Sequence, residues 1–260
     1  MTCKIFGKIL SKFINGLIIC GLGIVTSYAQ VNTAPQAANT SVNQVGTENL
    51  ASITTNDKSQ SSVTQTGSGN TANIRISGPS TGGVRQEGGN NEITLGVDGN
   101  DNSFFVDQRG DGAINRGQIS QDGSFNDINL VQKSTGLTSG LANYANVTQI
   151  GETNSANVDQ TAFALNSNFF SNEVLISQTG DGNVASISQS GSNNRSVQEQ
   201  TGDNNISNII QNGDNNNIIH RQTGNGLSFS NQLGSITIEQ SGGDSIIIEQ
   251  YSPGLGPLGD

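Results

Sequence analysis

The sequence predicts an all-β fold, a two-sided β-solenoid of about nine strand–turn–strand rungs, and three observations lead to this prediction. From residue 178 to residue 224 a Gln-x-Gly unit recurs five times at a constant spacing of 11 residues. Within each unit the selected residue types alternate with period two, which is the period of a β-strand. Glycine with Asn or Asp separates the units, and these residues favour tight turns.

The same unit covers most of the chain, from residue 38 to residue 250. Alignment on the final Gln position gives 18 arms, of which 15 end in glutamine. The residue two positions earlier is aliphatic in 16 of the 18 arms. Asparagine stands six positions before the end in 13 arms, for example at Asn49, Asn70, Asn91, Asn143, Asn194 and Asn216. These positions share one parity, so we expect one face of every strand to point into a common core.

The arms are of two alternating kinds, which makes the true repeat about 22 residues long. Every second arm ends in glutamine without exception: Gln44, Gln65, Gln86, Gln108, Gln132, Gln160, Gln189, Gln211 and Gln240. The other arms end in Thr55, Ile76 and Val97 and then in Gln121, Gln149, Gln178, Gln200, Gln222 and Gln250. An 11-residue period can also indicate a helical supercoil, but glycine in every unit and apolar residues spaced by two exclude that alternative.

A single hairpin of this kind cannot be stable alone. Its few small or aliphatic inward side chains return less free energy than the ordering of 22 backbone residues costs. Each rung must therefore pair with the rungs above and below it. Identical Gln and Asn side chains then lie about 4.8 Å apart and can hydrogen-bond into ladders. We predict that these glutamines and asparagines form the ladder of an amyloid assembly.

Two arms break the aliphatic column. Gln198 and His220 occupy the position two before the final Gln, and they are 22 residues apart. We therefore expect one above the other in adjacent rungs. Two alternatives remain open at this stage: the side chains hydrogen-bond to each other, or both are merely tolerated near one end of the solenoid.

The first 29 residues are typical of a secretory signal peptide. Lys4, Lys8 and Lys12 precede an apolar run, and a small-x-small cleavage site stands at 27–29. The apolar run of 13 residues is too short to span a bilayer. We expect a polar leader over residues 30–37, repeats over 38–250, and a Pro/Gly-rich C-terminal tail over 251–260. Extra residues before Gln149, Gln178 and Gln240, some of them phenylalanine, predict loops at the solenoid edge.

The chain that remains after signal cleavage is acidic and free of cysteine. It keeps 8 basic and 21 acidic residues, which gives a formal net charge of 8 − 21 = −13. The absence of a basic cluster argues against nucleic-acid binding. Cys3 and Cys20 both lie in the predicted signal peptide, so neither a disulfide nor a thiolate metal site is expected. Stability must come from the repeat.

The repeat resembles that of the curlin family, the subunits of bacterial curli amyloid fibres, whose unit is Ser-x5-Gln-x-Gly-x-Gly-Asn-x-Ala-x3-Gln. Residues 59–76 match this unit at Ser59, Gln65, Gly67, Gly69, Asn70 and Ala72, with Ile76 where Gln is expected. Residues 178–189 match its second part fully. The resemblance implies an extracellular biofilm fibre, a dedicated outer-membrane export channel with periplasmic accessory proteins, self-assembly, and a nucleator or companion subunit. The degenerate early arms and aromatic insertions leave open whether this is the major or the minor subunit.

The residues do not predict catalysis. His220 is the single histidine, and the repeats distribute Ser and Asp evenly instead of gathering them at one pocket. We therefore predict no enzyme activity, no catalytic or metal site and no cofactor. Asp-rich turns such as those at Asp181, Asp203 and Asp214 suggest a calcium β-roll as an alternative, although the 11-residue period and the few Asp residues fit turn chemistry better. An ice-binding solenoid would require a regular outward Thr array, which does not occur.

The functional prediction is a secreted structural subunit of an extracellular curli-like fibre that self-assembles by rung stacking, for biofilm matrix and adhesion. One alternative is a minor, nucleating subunit of such a fibre. Another is a monomeric surface adhesin that uses the Phe-bearing insertions. Solenoid handedness, the end that nucleates and any dependence on calcium stay open from the sequence.

Overall fold

The computed structural model describes residues 3–6, 28–33, 38–55, 58–110, 113–135, 140–163, 172–227, 236–241 and 245–251. In these ranges the protein is all-β and forms two ten-stranded sheets. The first sheet contains β1 (Cys3–Phe6), β3 (Asn39–Thr47), β5 (Gln60–Ser68), β7 (Thr81–Gly89), β9 (Ser103–Gly110), β11 (Asp127–Thr135), β13 (Ser155–Phe163), β15 (Val184–Gly191), β17 (Ile206–Asn212) and β19 (Ile236–Ser241). The second contains β2 (Tyr28–Thr33), β4 (Leu50–Thr55), β6 (Thr71–Ser77), β8 (Glu92–Asp98), β10 (Ile114–Ser124), β12 (Leu141–Glu152), β14 (Asn172–Thr179), β16 (Asn194–Thr201), β18 (Asn217–Thr223) and β20 (Ser245–Tyr251).

Successive strands alternate between the two sheets, so each strand pairs with the strand two before it and the strand two after it. We number the rungs from rung 1, which is β3 with β4, to rung 9, which is β19 with β20. All pairs among these strands are parallel. The prediction of a two-sided β-solenoid is confirmed, including the number of rungs.

The register of the strands follows the 22-residue repeat. In the first sheet Gln44 is aligned with Gln65, and the alignment continues through every glutamine of the unbroken set to Gln240. In the second sheet Thr55 is aligned with Ile76, and that column continues to Gln250. Insertions between arms leave the glutamine columns aligned, because the extra residues lie between the strands or, at Ala142, in an irregularity at the start of β12.

Two strands precede rung 1. β2 crosses the predicted boundary between signal peptide and leader, and its Ala29 and Val31 are aligned with Ala51 and Ile53. Residues 30–33 of the predicted leader thus extend the second sheet. β1 pairs with β3 and is antiparallel, unlike the pairs within the rungs. The predicted loops at 136–139, 164–171 and 228–235 and the predicted tail from residue 252 lie outside the described residues.

The core lies between the two sheets and is filled by alternate residues of each strand. The aliphatic side chain two before the final Gln is buried in most rungs, for example in Ile53, Val106 and Ile187. Rung 4 accommodates the largest side chain of the core, Phe104, which lies against a glycine of rung 3. A Cβ on Gly82 would come within 2.5 Å of the Phe104 ring, and one on Gly117 within 2.6 Å of the Ile93 side chain. Each of these glycines therefore leaves space for a larger neighbouring side chain.

Candidate functional site

The glutamines of the first sheet form one continuous amide ladder. From Gln44 to Gln211, each Nε2 donates to the Oε1 of the glutamine in the next rung, over 2.6–3.0 Å. Their side chains are buried, and most have no solvent exposure at all. Because an unpaired amide in such a core would cost free energy, the ladder selects glutamine in every rung. The side chain of Gln240 lies outside the described part, which includes only its backbone register.

The second sheet has a shorter ladder with the same polarity. It runs from Gln121 through Gln149, Gln178, Gln200 and Gln222 to Gln250, with Nε2–Oε1 distances of 2.8–3.2 Å. Rungs 1–3 have Thr55, Ile76 and Val97 in this column. As a result Gln121 is the first amide of the ladder, and its buried Oε1 has no hydrogen-bond partner. The buried Thr55 hydroxyl also has none.

The ladder glutamines other than Gln250, at the end of the second ladder, also join the two sheets. The second hydrogen of Nε2 donates to a backbone carbonyl of the opposite sheet: Gln65 bonds the oxygen of Leu50 at 2.9 Å, and Gln149 bonds that of Asp127 at 3.1 Å. Equivalent bonds occur along both ladders. One amide thus fixes rung-to-rung spacing and sheet-to-sheet spacing at once. No feature of the sequence predicts the hydrogen bond from each of these amides to the opposite sheet.

Asparagines form a second kind of ladder with the opposite polarity. Where the second-sheet arms begin, Asn70 Nδ2 donates back to Asn49 Oδ1 at 3.0 Å. The column continues through Asn91, Asn115, Asn143, Asn172, Asn194 and Asn216 at 2.8–3.1 Å. All six asparagines named from the sequence lie in this one column. A parallel column at the first sheet, Asn102, Asn126, Asn154, Asn183 and Asn205, was not among the predicted ladder residues, although it shares their position in the repeat.

The turns between arms stack as closely as the strands. Gly180 has a φ of +109°, and a Cβ there would lie 2.3 Å from the carbonyl oxygen of Gly202 in the next rung. Aspartates in the turns connect neighbouring rungs: Asp203 Oδ1 accepts the backbone N–H of Asp181 at 3.0 Å, and Asp214 Oδ1 accepts that of Ser192 at 2.8 Å. These turn carboxylates therefore have a structural role as acceptors.

Gln198 and His220 are stacked as predicted, and both are fully buried. Their side chains do not bond to each other. Gln198 Nε2 donates to the Ser207 carbonyl at 3.2 Å, and its Oε1 has no partner. His220 Nδ1 lies 2.6 Å from the Ser207 hydroxyl, and its Nε2 lies 3.3 Å from Gln250 Oε1.

This arrangement fixes the tautomer of the neutral histidine. The Gln250 oxygen can only accept, so Nε2 carries the hydrogen and Nδ1 accepts that of Ser207. Burial lowers the pKa of His220 below its ordinary value, and the hydrogen bond with Gln250 opposes this shift. The imidazole is therefore a neutral member of the core. Both nitrogens are used in hydrogen bonds, which leaves neither available as a general base.

The described ranges contain neither a candidate metal site nor a candidate membrane-spanning helix. No group of three or more His, Cys, Asp or Glu residues in that part of the chain is placed to hold a metal ion. Among the same residues, no helix is long and apolar enough to cross a membrane.

Comparison with protein families gives one match. Residues 80–110 and 171–202 match the family model of the curlin associated repeat. The first segment contains β7, β8 and β9, and the second contains β14, β15 and β16, so each includes three strands. The second segment includes the full match at residues 178–189, whereas residues 59–76 lie outside both. No curated protein and no solved structure gives a significant match to the chain.

Proposed function

We propose that this chain, which matches the curlin associated repeat over residues 80–110 and 171–202 and forms nine stacked rungs, is the structural subunit of a secreted, extracellular curli-like fibre. It elongates by adding rungs of further copies to the ends of the solenoid. The fibre serves biofilm matrix and adhesion. Export follows signal cleavage and passage through a curli-type outer-membrane channel with periplasmic accessory proteins, and a companion or nucleator subunit starts assembly.

The observation that carries the proposal is the uniformity of the amide columns along the solenoid axis. The Gln and Asn ladders present the same chemistry in rung after rung. β19 and β20 are the last strands of their sheets, so among the described residues no further strand pairs with the backbone groups on their outer sides. An open edge with repeating side-chain columns is a template for another chain. Gln250 accepts from Gln222, and its own amide hydrogens are available to a further rung.

The direct test is assembly of the purified chain at neutral pH. We expect a lag phase, then fibres that bind thioflavin and give cross-β diffraction with a spacing of about 4.8 Å along the axis. Signal cleavage should be visible by mass spectrometry of the secreted chain. A folded chain that stays monomeric over days at high concentration would contradict the proposal.

A second candidate function, a monomeric surface adhesin, is favoured by exposed aromatic side chains. Phe105, Phe125 and Phe163 are 48%, 58% and 47% exposed. An adhesin would show a β-sheet circular dichroism signal independent of concentration and would lose surface binding when these residues are replaced by serine. A fibre subunit would keep assembling after the same replacement.

A further inference from the structure

A continuous aliphatic stripe lies on the outer face of the second sheet in rungs 6–9. It consists of Leu175, Val197, Ile219 and Ile247, which are aligned with one another at the outward position three before the final Gln. In rungs 1–5 the same column is polar: Ser52, Asn73, Thr94, Gln118 and Asn146. The stripe extends over three rung spacings, about 14 Å.

The stripe is most exposed in rung 9 and least exposed in rung 7. Ile247 in rung 9 is 63% exposed, Leu175 and Ile219 are half-buried, and Val197 is 8% exposed between its neighbours. Apart from Val197, these side chains keep part of their apolar surface in contact with solvent. A face of this kind typically marks a contact with another surface.

Ion pairs flank the stripe on both sides. On the N-terminal side of the strands, Arg195 pairs with Glu173 at 3.0 Å. On the C-terminal side, Arg221 bridges Glu199 at 2.8 Å and Glu249 at 3.1 Å. In rung 7 a positive and a negative side chain, Arg195 and Glu199, lie two residues before and two residues after Val197.

We propose that this stripe is a lateral interface at which a second copy of the chain packs face to face. The two copies are related by a two-fold axis parallel to the solenoid axis. Such a rotation reverses the strand direction but keeps each rung level with its counterpart. Arg195 of each copy then lies over Glu199 of the other, and the aliphatic stripe faces itself.

The balance of charge selects a second copy as the occupant. Three carboxylates and two guanidinium groups border the stripe, so the face attracts neither a strongly basic nor a strongly acidic surface. The two-fold arrangement is instead self-complementary in rung 7. Sheets that pack face to face lie about 10 Å apart, which lets the aliphatic side chains of both copies interdigitate.

The lateral contact is distinct from axial stacking and goes beyond the proposed fibre function. Four aliphatic residues in one copy give only a weak contact. In a fibre the stripe recurs every nine rungs, so many weak contacts act together and two fibres pair along their length.

Thiol cross-linking tests the two-fold arrangement, because residues of the stripe lie close to the axis. In a full chain that carries Cys3→Ser and Cys20→Ser, Ile219→Cys should give covalent dimers with a short bis-maleimide whose span matches the roughly 10 Å between packed sheets, which is too wide for a direct disulfide. The matched control is Asn208→Cys, which lies in the same rung on the outer face of the first sheet. Axial neighbours cannot cross-link at either position, since equivalent residues lie nine rungs, about 43 Å, apart.

We expect at least about a fivefold excess of dimer in Ile219→Cys over Asn208→Cys. Mass per unit length gives a second measurement: wild-type fibres should contain two chains per nine rungs, and Ile219→Asn with Ile247→Asn should reduce this to one. Equal cross-linking at the two positions, or one chain per nine rungs in wild-type fibres, would overturn the lateral interface. If no fibres form, the proposed function fails, and cross-linking of the folded chain in concentrated solution still decides the lateral contact.

Discussion

The second sheet differs between rungs 1–3 and rungs 7 and 8. At the positions before the turn, rungs 1–3 have mostly apolar side chains inside and polar ones outside, whereas rungs 7 and 8 have polar side chains inside and an aliphatic one outside. In rung 2 the inward residues before the turn are Ile74 and Ile76, and Asn73 points outward. In rung 7 the inward residues are Gln198 and Gln200, and Val197 points outward. The backbone register is nonetheless the same.

This difference teaches that hydrophobic patterning does not hold the register of this solenoid by itself. A slip by one residue would usually be opposed because it moves apolar side chains out of the core. In rung 7 that opposition is weak, since both faces carry comparable apolar content. The Gln and Asn ladders, with the close-packed turn glycines, supply the register instead.

The largest expected effect comes from removing a ladder amide in the C-terminal half. Gln178→Ile places there the side chain that rung 2 has at Ile76. The substitution leaves Gln149 Nε2 and Gln200 Oε1 without ladder partners and removes the bond to the Ser155 carbonyl. We expect the free energy of unfolding to fall by about 2–5 kcal/mol, measured by guanidinium denaturation. Ile76→Leu is the control and should cost less than about 1.5 kcal/mol; equal effects would show that the ladder does not hold the register.

The next effect concerns the polar interior of rungs 7 and 8. The folded pKa of His220 lies below its unfolded value of about 6.5, so the fold favours the neutral imidazole. Stability is therefore complete above that unfolded value and declines as the pH falls below it, until the folded pKa is reached. The slope reaches at most about 1.4 kcal/mol per pH unit.

The measurement compares denaturation midpoints at pH 8 and pH 5 for the wild type and for His220→Ile, which restores the aliphatic column of rungs 1–3. The variant should lose the acid-dependent part of the destabilisation between these pH values. If the denaturation midpoint of the variant changes with pH as much as that of the wild type, the pH dependence comes from the carboxylates and not from His220.

Extending the second ladder toward the N-terminus should have a smaller, stabilising effect. Ile76→Gln with Val97→Gln gives Gln121 Oε1 the donor that it lacks and places the new first amide next to the unpartnered Thr55 hydroxyl, which can donate to it. We expect a gain of about 1 kcal/mol in the free energy of unfolding. Val84→Gln in rung 3 provides the contrast, because it buries an amide outside both ladder columns and should destabilise. A loss of stability in the double variant would mean that rungs 1–3 need their aliphatic core more than the ladder.

The smallest effect is expected in the turns. Asp203→Asn with Asp214→Asn keeps the Oδ1 acceptors but removes two charges, one of them next to Asp181. If the acidic turns slow premature assembly, the lag before thioflavin binding should shorten while the stability changes little. Asp127→Asn with Asp159→Asn removes the same two charges from strand positions and controls for net charge, since the neighbours of these residues in the adjacent rungs are uncharged. An unchanged lag in the double variant would remove the turns from the control of assembly.

Much of the fold follows from the sequence, because a period of two within a period of 22 leaves one register that aligns all the glutamines. The two glutamine columns, their division between the sheets and the nine rungs could all be predicted in this way. The polarity of each ladder and the bonds between sheets could not. They depend on which rotamer of each amide reaches the opposite backbone, and spacing along the chain carries no information on that.

The Gln198 and His220 pair shows the same limit. Their vertical alignment follows from counting residues. Their partners do not, because the Ser207 hydroxyl that engages His220 belongs to the other sheet. The strand at Tyr28–Thr33 is a similar case. Ala29 and Val31 alternate like the small and aliphatic residues of an arm, but the strand has no Gln or Asn at the column positions by which an arm is identified in the sequence.

The opposite directions of the two amide ladders have an electrical consequence. Glutamine carbonyls point toward the N-terminal end of the solenoid, and asparagine carbonyls point toward the C-terminal end. Dipoles that all pointed one way would add along the axis and place partial charge at the two tips, as they do in an α-helix. Here the amide dipoles of the glutamine columns largely cancel those of the asparagine columns. Lengthening the stack therefore adds little charge separation, and these dipoles place almost no net charge at the tips of a fibre of any length.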